Sequence, residues 1–198
     1  MSRLIFATKN RGKLNEVRNI FSDSGFEITS LLDLNSKLEV VENEKTYEGN
    51  AKKKAKEIFN KYKIPVIADD SGIETEQLTG IPGVYSARYA GEIATDEENN
   101  KKLLDELKNF SEPHPAKYVC CAVYFDGENY LIEFGEVKGK IIMMGRGTKG
   151  FGYDPLFVPD GYNQTMAELS PEVKNSISHR GQAFSKLKRK IKILKEIL

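Results

Sequence analysis

Two adjacent carboxylates, Asp69 and Asp70, follow a short apolar run at residues 65–68 and precede Ser71 and Gly72. Carboxylates in such a place can hold a metal, activate a water, or simply turn the chain, since Asp, Ser and Gly all favour turns for local reasons. A strand ending there would deliver its acids to a sheet edge, where open α/β folds place their ligands. Neighbouring residues of an extended chain face opposite sides, so the two have different tasks. One would tie down the following loop while the other faces a metal or water, and these residues alone do not say which. Residues 80–91 then gather three glycines, Pro82, Tyr85, Ser86, Arg88 and Tyr89. Long ordered loops of this composition are more often functional than filler.

Other stretches offer complementary chemistry. Thr8, Lys9, Asn10, Arg11, Gly12 and Lys13 form a polar turn between an apolar run and an amphipathic segment. Helix-start amides and a lysine converge in that arrangement on a phosphate, although a capped helix with a solvated lysine would look the same. Glu39, Glu42 and Glu44 cluster in a polar linker. They are either a solvated acidic loop or the source of a second carboxylate, which would join Asp70 around a divalent ion. Lys54 borders the inward side of a helix, unlike Lys52, Lys53 and Lys56. Residues 145–150 spell the glycine pattern of a dinucleotide site, but that site needs a helix to begin within them, and Pro155, after Phe151, Gly152, Tyr153 and Asp154, disfavours helix at Asp154. Phe151 presents a face on which a base could stack and Asp154 an acceptor; the plainer reading is that Phe151 and Tyr153 fill the core. His179 and Arg180, at a helix start, gain nothing from the helix dipole, which favours a ligand role over a surface pair.

Periodicity supplies the elements that must position these groups. Residues 4–7 and 26–31 read as strands, and Leu14, Val17 and Phe21 mark a helix stopped at Gly25. An amphipathic helix spans residues 47–62 with Thr46 as its N-cap. Thr95 and Glu98 form a capping box before a helix that buries Leu103, Leu104 and Leu107 and carries no evident chemistry. Residues 118–125 and 129–136 flank Asp126 and Gly127 as a hairpin, and residues 140–144 continue the sheet. His114, between two prolines, reads as a loop residue. Short helical starts are expected at Thr165 and Ser170, the latter with Pro171 in the first helical position. The last helix packs through Phe184, Leu187, Ile191, Leu194 and Leu198.

With 198 residues, 39% hydrophobic and 30% charged, and a net charge of +1, the chain can build a real core. The balance argues against a general nucleic-acid or membrane-surface binder. No apolar run is long enough to span a bilayer, and residues 1–10 lack the features of a secretory signal. Cys120 and Cys121 are adjacent in a strand-like run and should face opposite ways, which suits a reducing cytoplasm better than a disulfide framework.

Five segments in order, TKNRGK, EKTYEGNAKKKA, DDSGIETEQLTGIPGVYSARYAG, KGFGYDP and SHRGQA, cover nearly the whole chain. Together they resemble the inosine triphosphate pyrophosphatase-like family. The resemblance implies an α/β fold in one domain, residues 1–198, with a long central mixed β-sheet, two α/β lobes and a nucleotide groove between them. It implies hydrolysis of non-standard purine nucleoside triphosphates to monophosphate and pyrophosphate, with Mg²⁺ held by Glu42 and Asp70. Asp70 would be the general base, with Asp69 in support. Thr8, Lys9, Asn10, Arg11, Gly12, Lys13, Lys54 and Ser71 would hold phosphates. Phe151, Gly152, Tyr153, Asp154, Lys174, His179 and Arg180 would contact the nucleoside. Gly49 departs from the family, which commonly has glutamate there. The resemblance also implies a homodimer. Two rivals are an aspartate-nucleophile phosphohydrolase, separable by trapping an acyl phosphate, and a non-catalytic nucleotide sensor.

Overall fold

The computed structural model describes residues 2–197. Its strands are β1 (Ser2–Phe6), β2 (Phe26–Ser30), β3 (Val66–Thr75), β4 (His114–Phe125), β5 (Tyr130–Ile141) and β6 (Phe157–Pro159). The helices are α1 (Arg11–Phe21), α2 (Tyr47–Tyr62), α3 (Asp96–Leu107), α4 (Pro171–Ile177) and α5 (His179–Ile197). The strands form one sheet in the order β2-β1-β3-β4-β5-β6, parallel where β1 meets β2 and β3 and antiparallel where β5 meets β6. This is the mixed α/β sheet that the family resemblance implied.

The chain divides into two compact units. The first comprises Met1–Asp70, Cys120–Gly135 and Arg180–Leu198. Alternation along its strands sorts its core into two groups. Leu4, Phe6, Ile67, Cys120 and Ala122 pack with α1 and α5, whereas Ile5, Val66, Ala68, Cys121 and Val123 pack with α2. The two cysteines thus face opposite ways, both buried and free. Helix α2 begins where expected, with the Thr46 side chain accepting from Gly49 N, and ends on a left-handed Lys63 at φ 55°.

The second unit comprises Ser71–Val119 and Glu136–His179. Its core joins Ile73, Leu103, Leu107, Tyr118, Ile141, Tyr153 and Phe157. The Thr95–Glu98 capping box of α3 is present in both directions.

Several sequence expectations need correction. Strand β3 does not stop at the carboxylates but runs through Asp69, Asp70, Ser71 and Gly72 to Thr75. Pairing overrides turn propensity here, and Gly72 shows why the chain must stay bare. A Cβ on it would lie 2.1 Å from Gly83 O and 2.5 Å from Ser86 Oγ. Residues 83–88 form a 3-10 turn, and the Ser86 hydroxyl accepts from Ile73 N and donates to Gly83 O. His114 is a buried strand residue, with Nδ1 2.7 Å from Gln77 Oε1. Strand β5 ends at Ile141, so residues 142–144 do not extend the sheet. No helix begins at Thr165, whose amide is taken by the Glu168 side chain in a turn. Residues 145–150 are irregular, with no helix behind them. Leu198 lies outside the described residues.

Candidate active site

In the first unit, strand alternation sends the adjacent carboxylates to different partners. Asp69 Oδ2 lies 3.1 Å from Lys13 Nζ and 3.2 Å from Arg180 Nε, and Arg180 Nη1 lies 2.7 Å from Glu16 Oε2. Asp69 is 1% exposed and Arg180 3%. Burial alone would raise the Asp69 pKa, but Lys13, Arg180 and Lys54 outweigh it and hold the carboxyl well below its usual range. Burial would likewise discharge Arg180, and Glu16 and Asp69 reverse that. Asp69 is therefore an anchor between α1 and α5 that keeps its charge to lower pH than an ordinary carboxyl.

Asp70 faces α2. Its Oδ2 accepts a 2.8 Å hydrogen bond from Asn50 Nδ2. Burial raises its proton affinity; Lys54 opposes that, Glu42 adds to it, and the net direction is upward. A buried carboxyl with raised proton affinity is a candidate general base. Lys54 Nζ lies 2.8 Å from Glu42 Oε1. Burial disfavours the Lys54 charge, but Glu42, Asp70 and Asp69 together keep it firmly protonated. The structure thus brings Glu42, Lys54, Asp69 and Asp70 into one electrostatic cluster.

Glu42 and Asp70 are hard oxygen donors, Glu42 adds to the proton affinity of Asp70, and the Glu42 side chain keeps 31% of its exposure. Among the described residues no group of three or more His, Cys, Asp or Glu is placed to hold a metal. A pair of carboxylates nevertheless fits Mg²⁺, which takes one or two protein carboxylates and completes its shell with phosphate oxygens and water.

The turn before α1 is built by its own residues. Thr8 Oγ1 accepts from Asn10 N at 3.1 Å, and Asn10 Oδ1 caps the helix by accepting from Lys13 N at 3.0 Å. The Asn10 oxygen therefore shapes the turn. Lys9 pairs with Glu39 at 3.2 Å, Arg11 is exposed, and Gly12 is half-buried in the first helical turn. Helix-start amides and Lys13 remain an anion-binding combination.

In the second unit Lys174 Nζ lies 2.6 Å from Asp154 Oδ2 and 4.9 Å from the Phe151 ring centre. Asp154 also accepts from Phe151 N at 2.9 Å. One buried carboxylate thus orients both a half-exposed aromatic ring and a lysine. The His179 ring stacks on Tyr118, with centres 4.6 Å apart and planes 4° from parallel. Ser71 is half-buried on β3.

Two sequence assignments change. Tyr153 is not a ligand-facing ring: it is 4% exposed in the core, and its hydroxyl donates to Ser86 O at 2.8 Å. Arg180 has its Nε and Nη1 committed to carboxylates of the first unit rather than to a nucleobase.

Sequence reasoning also missed residues. Glu16 holds Arg180 but carries no signal among the polar residues of α1. Helix α3, which showed no chemistry, grips the peptide at Gly152: Asp96 Oδ2 accepts from its N–H at 2.6 Å and Asn100 Nδ2 donates to its carbonyl at 3.1 Å. Phe151 and Gly152 line a cavity of about 770 Å³ with Asp96, Asn100, Lys101 and Lys149.

Residues 4–190 match the sequence model of the Ham1 family. A protein of Aquifex aeolicus named dITP/XTP pyrophosphatase is 47% identical over 194 residues, covering 93% of this chain and 94% of that protein. The solved Ham1 protein of Coxiella burnetii superposes with a TM-score of 0.87 at 34% identity, covering 99% of this chain and 100% of that one. The Staphylococcus aureus Ham1 protein gives a TM-score of 0.84 at 38% identity, covering 96% and 98%.

Proposed function

The chain belongs to the Ham1 family, and on that premise we propose that it hydrolyses non-standard purine nucleoside triphosphates, those of inosine, deoxyinosine and xanthosine, to the monophosphate and pyrophosphate. The observation that carries the reading is Asp70: a buried carboxyl of raised proton affinity, beside Glu42 and Lys54, in a chain whose relatives bear the name dITP/XTP pyrophosphatase.

Glu42 and Asp70 would hold Mg²⁺, whose chemistry at such a pair is to neutralise phosphate charge and acidify the attacking water. The amides that open α1, with Lys13, Lys54 and Ser71, bind and orient the triphosphate. Asp70 takes the proton of the water that attacks phosphorus at the α–β anhydride, whose bridging P–O bond breaks to separate the monophosphate from pyrophosphate. Asp69 orients Lys13 through its 3.1 Å contact and stays ionised throughout.

Base selection follows from polarity. Hypoxanthine and xanthine present a carbonyl acceptor where adenine presents an amino donor. Lys174 and His179 can donate to that carbonyl, and Phe151 can stack on the ring, with Asp154 holding lysine and loop in place. Adenine would leave a buried donor unanswered, and sites built on such bonds discriminate by roughly 10⁴ or more.

Two expectations belong with this reading. The first is a homodimer; exposed Ile81, Tyr85 and Ile93 support it, and light scattering of the purified protein tests it. The second is a cytoplasmic location, which two free, buried cysteines support.

Acid-quenched single turnovers with inosine triphosphate test the chemistry. Monophosphate and pyrophosphate in equal amounts, with no label left on the protein, are expected. A labelled acyl phosphate on Asp69 or Asp70 would shift the reading to a phosphoenzyme, and no turnover with Mg²⁺ present would leave a binding protein.

A further inference from the structure

Asn50 is the one fully buried amide on the inward face of α2, at 0% exposure and outside the capping positions. Helix interiors disfavour asparagine, because its side chain competes with the backbone for hydrogen bonds. Here both ends of the amide are used on groups outside the helix. Nδ2 donates to Asp70 Oδ2 at 2.8 Å, and Oδ1 accepts from Glu44 N at 3.0 Å. The first bond fixes one oxygen of the carboxylate on β3. The second fastens the acidic segment that carries Glu42 two residues earlier.

Gly49 makes room for this fastening. A Cβ there would lie 2.8 Å from Glu44 Cβ and 3.1 Å from Thr46 Oγ1. Lys54, one turn further along the same helix face, holds Glu42 from the other end at 2.8 Å. Helix α2 therefore grips the segment at two points and Asp70 at one.

We infer that Asn50 is a positioning residue that locks Asp70 and the Glu42-bearing segment into a single arrangement through its two buried hydrogen bonds. The inference rests on the function proposed above, in which Glu42 and Asp70 act together. An amide suits the task where a charged side chain would not. It donates to one partner and accepts from the other at a fixed spacing, and it adds no charge between Glu42, Lys54 and Asp70. Besides Glu42 and Lys54, the charge of Lys13 also bears on Asp70 and favours its ionised form.

The test uses Asn50→Ala and Asn50→Asp in the full chain. Mn²⁺ binding without nucleotide is followed by electron paramagnetic resonance, alongside thermal unfolding and the separate kcat and KM for inosine triphosphate. Loss of a residue that orients metal-binding carboxylates typically costs 10–100-fold in metal affinity or activity. Asn50→Ala should bind Mn²⁺ about tenfold more weakly and lose at least about tenfold in kcat, with KM for the triphosphate within about twofold of the parent. Asn50→Asp keeps the acceptor for Glu44 N but sets a second carboxyl against Asp70 in place of the donor, so kcat should fall similarly, with some loss in Tm. It carries the test by that readout should the alanine variant not fold. A folded Asn50→Ala with parental kcat and Mn²⁺ affinity overturns the inference, as does an Asn50→Asp protein with full kcat. Should the parent protein fail to release monophosphate and pyrophosphate, the functional reading falls, while the Mn²⁺ comparison still decides the role of Asn50.

Discussion

Replacing each of the two adjacent aspartates should separate stability from catalysis. Asp69 contacts Lys13 Nζ at 3.1 Å and Arg180 Nε at 3.2 Å, with Arg180 itself buried against Glu16. Breaking a buried ion pair by removing one partner costs about 3–5 kcal/mol. For a chain of this size each kcal/mol is worth about 2–4 °C in Tm, so Asp69→Ala should lower Tm by roughly 6–20 °C. Asp69→Asn keeps the volume and an acceptor for Arg180, so its loss should fall in the lower part of that range. Turnover per folded molecule should fall far less than in Asp70→Asn, because Lys13 loses the partner that orients it but keeps its charge. Asp70→Asn does the reverse. Its new amide oxygen still accepts from Asn50, while a buried negative charge near Glu42 disappears, so Tm should hold or rise, with a gain of about 1 kcal/mol. Activity should fall by about 10²–10⁴, the usual worth of a positioned general base.

The pH dependence carries the same signature in metal-free protein. Asp69 has a lowered pKa, so its contribution is present above its ordinary value of 3.8 and is lost as pH falls through the lower folded value. The Asp70 pKa is raised. Its charge costs nothing below 3.8, and the cost grows as pH rises through the higher folded value. The stabilisation in Asp70→Asn should therefore be absent at pH 3.5 and complete at neutral pH. Calorimetric unfolding at several pH values, with initial rates on inosine triphosphate, reads both effects. An Asp70→Asn protein destabilised as much as Asp69→Ala, or an inactive but fully stable Asp69→Asn, would refute the division of labour.

Other perturbations have distinct outcomes. Lys54→Met removes the cation between Glu42 and Asp70, so the Mg²⁺ concentration for half-maximal rate should change and kcat should fall about tenfold or more, measured by metal titration of the rate. Gly72→Ala forces a Cβ to within 2.1 Å of Gly83 O and should cost about 1–3 kcal/mol or more in denaturant unfolding; a neutral result would mean that residues 83–86 yield easily. Tyr153→Phe should lose about 1 kcal/mol through the missing bond to Ser86 O and keep its kcat/KM for inosine triphosphate, whereas a selective kinetic defect would return the tyrosine to the nucleoside site.

Much of this architecture was legible because local signals agreed with the fold. Thr46 and the apolar stripe of residues 47–62 placed α2, Thr95 and Glu98 placed the start of α3, and Asp126 with Gly127 marked the hairpin of β4 and β5. Strand alternation also separates Asp69 from Asp70 and Cys120 from Cys121. Failures came where tertiary partners overrode local preference. The Asp-Asp-Ser-Gly stretch favours a turn, yet sheet pairing and the close approach of Gly83 keep it extended. His114 reads as a loop residue between prolines, but Gln77 gives it a buried partner. Strand β6, of three residues, is too short to show a period.

At the site, residue types revealed which groups could do chemistry and not what each would touch. Arg180 offered donors suited to a nucleobase, but Glu16, 164 positions away in sequence, and Asp69 occupy two of them. Asn50 gave one faint signal, an amide interrupting an apolar helix face. Its meaning depends on Asp70 and Glu44, which only the fold brings to it.

The central claim is most directly tested by incubating the protein with Mg²⁺ and an equimolar mixture of inosine, xanthosine, adenosine and guanosine triphosphates, and identifying every product over time. Inosine and xanthosine monophosphates should appear with matching pyrophosphate while the adenosine triphosphate persists. Release of single phosphate, or consumption of all four at similar rates, would contradict the account.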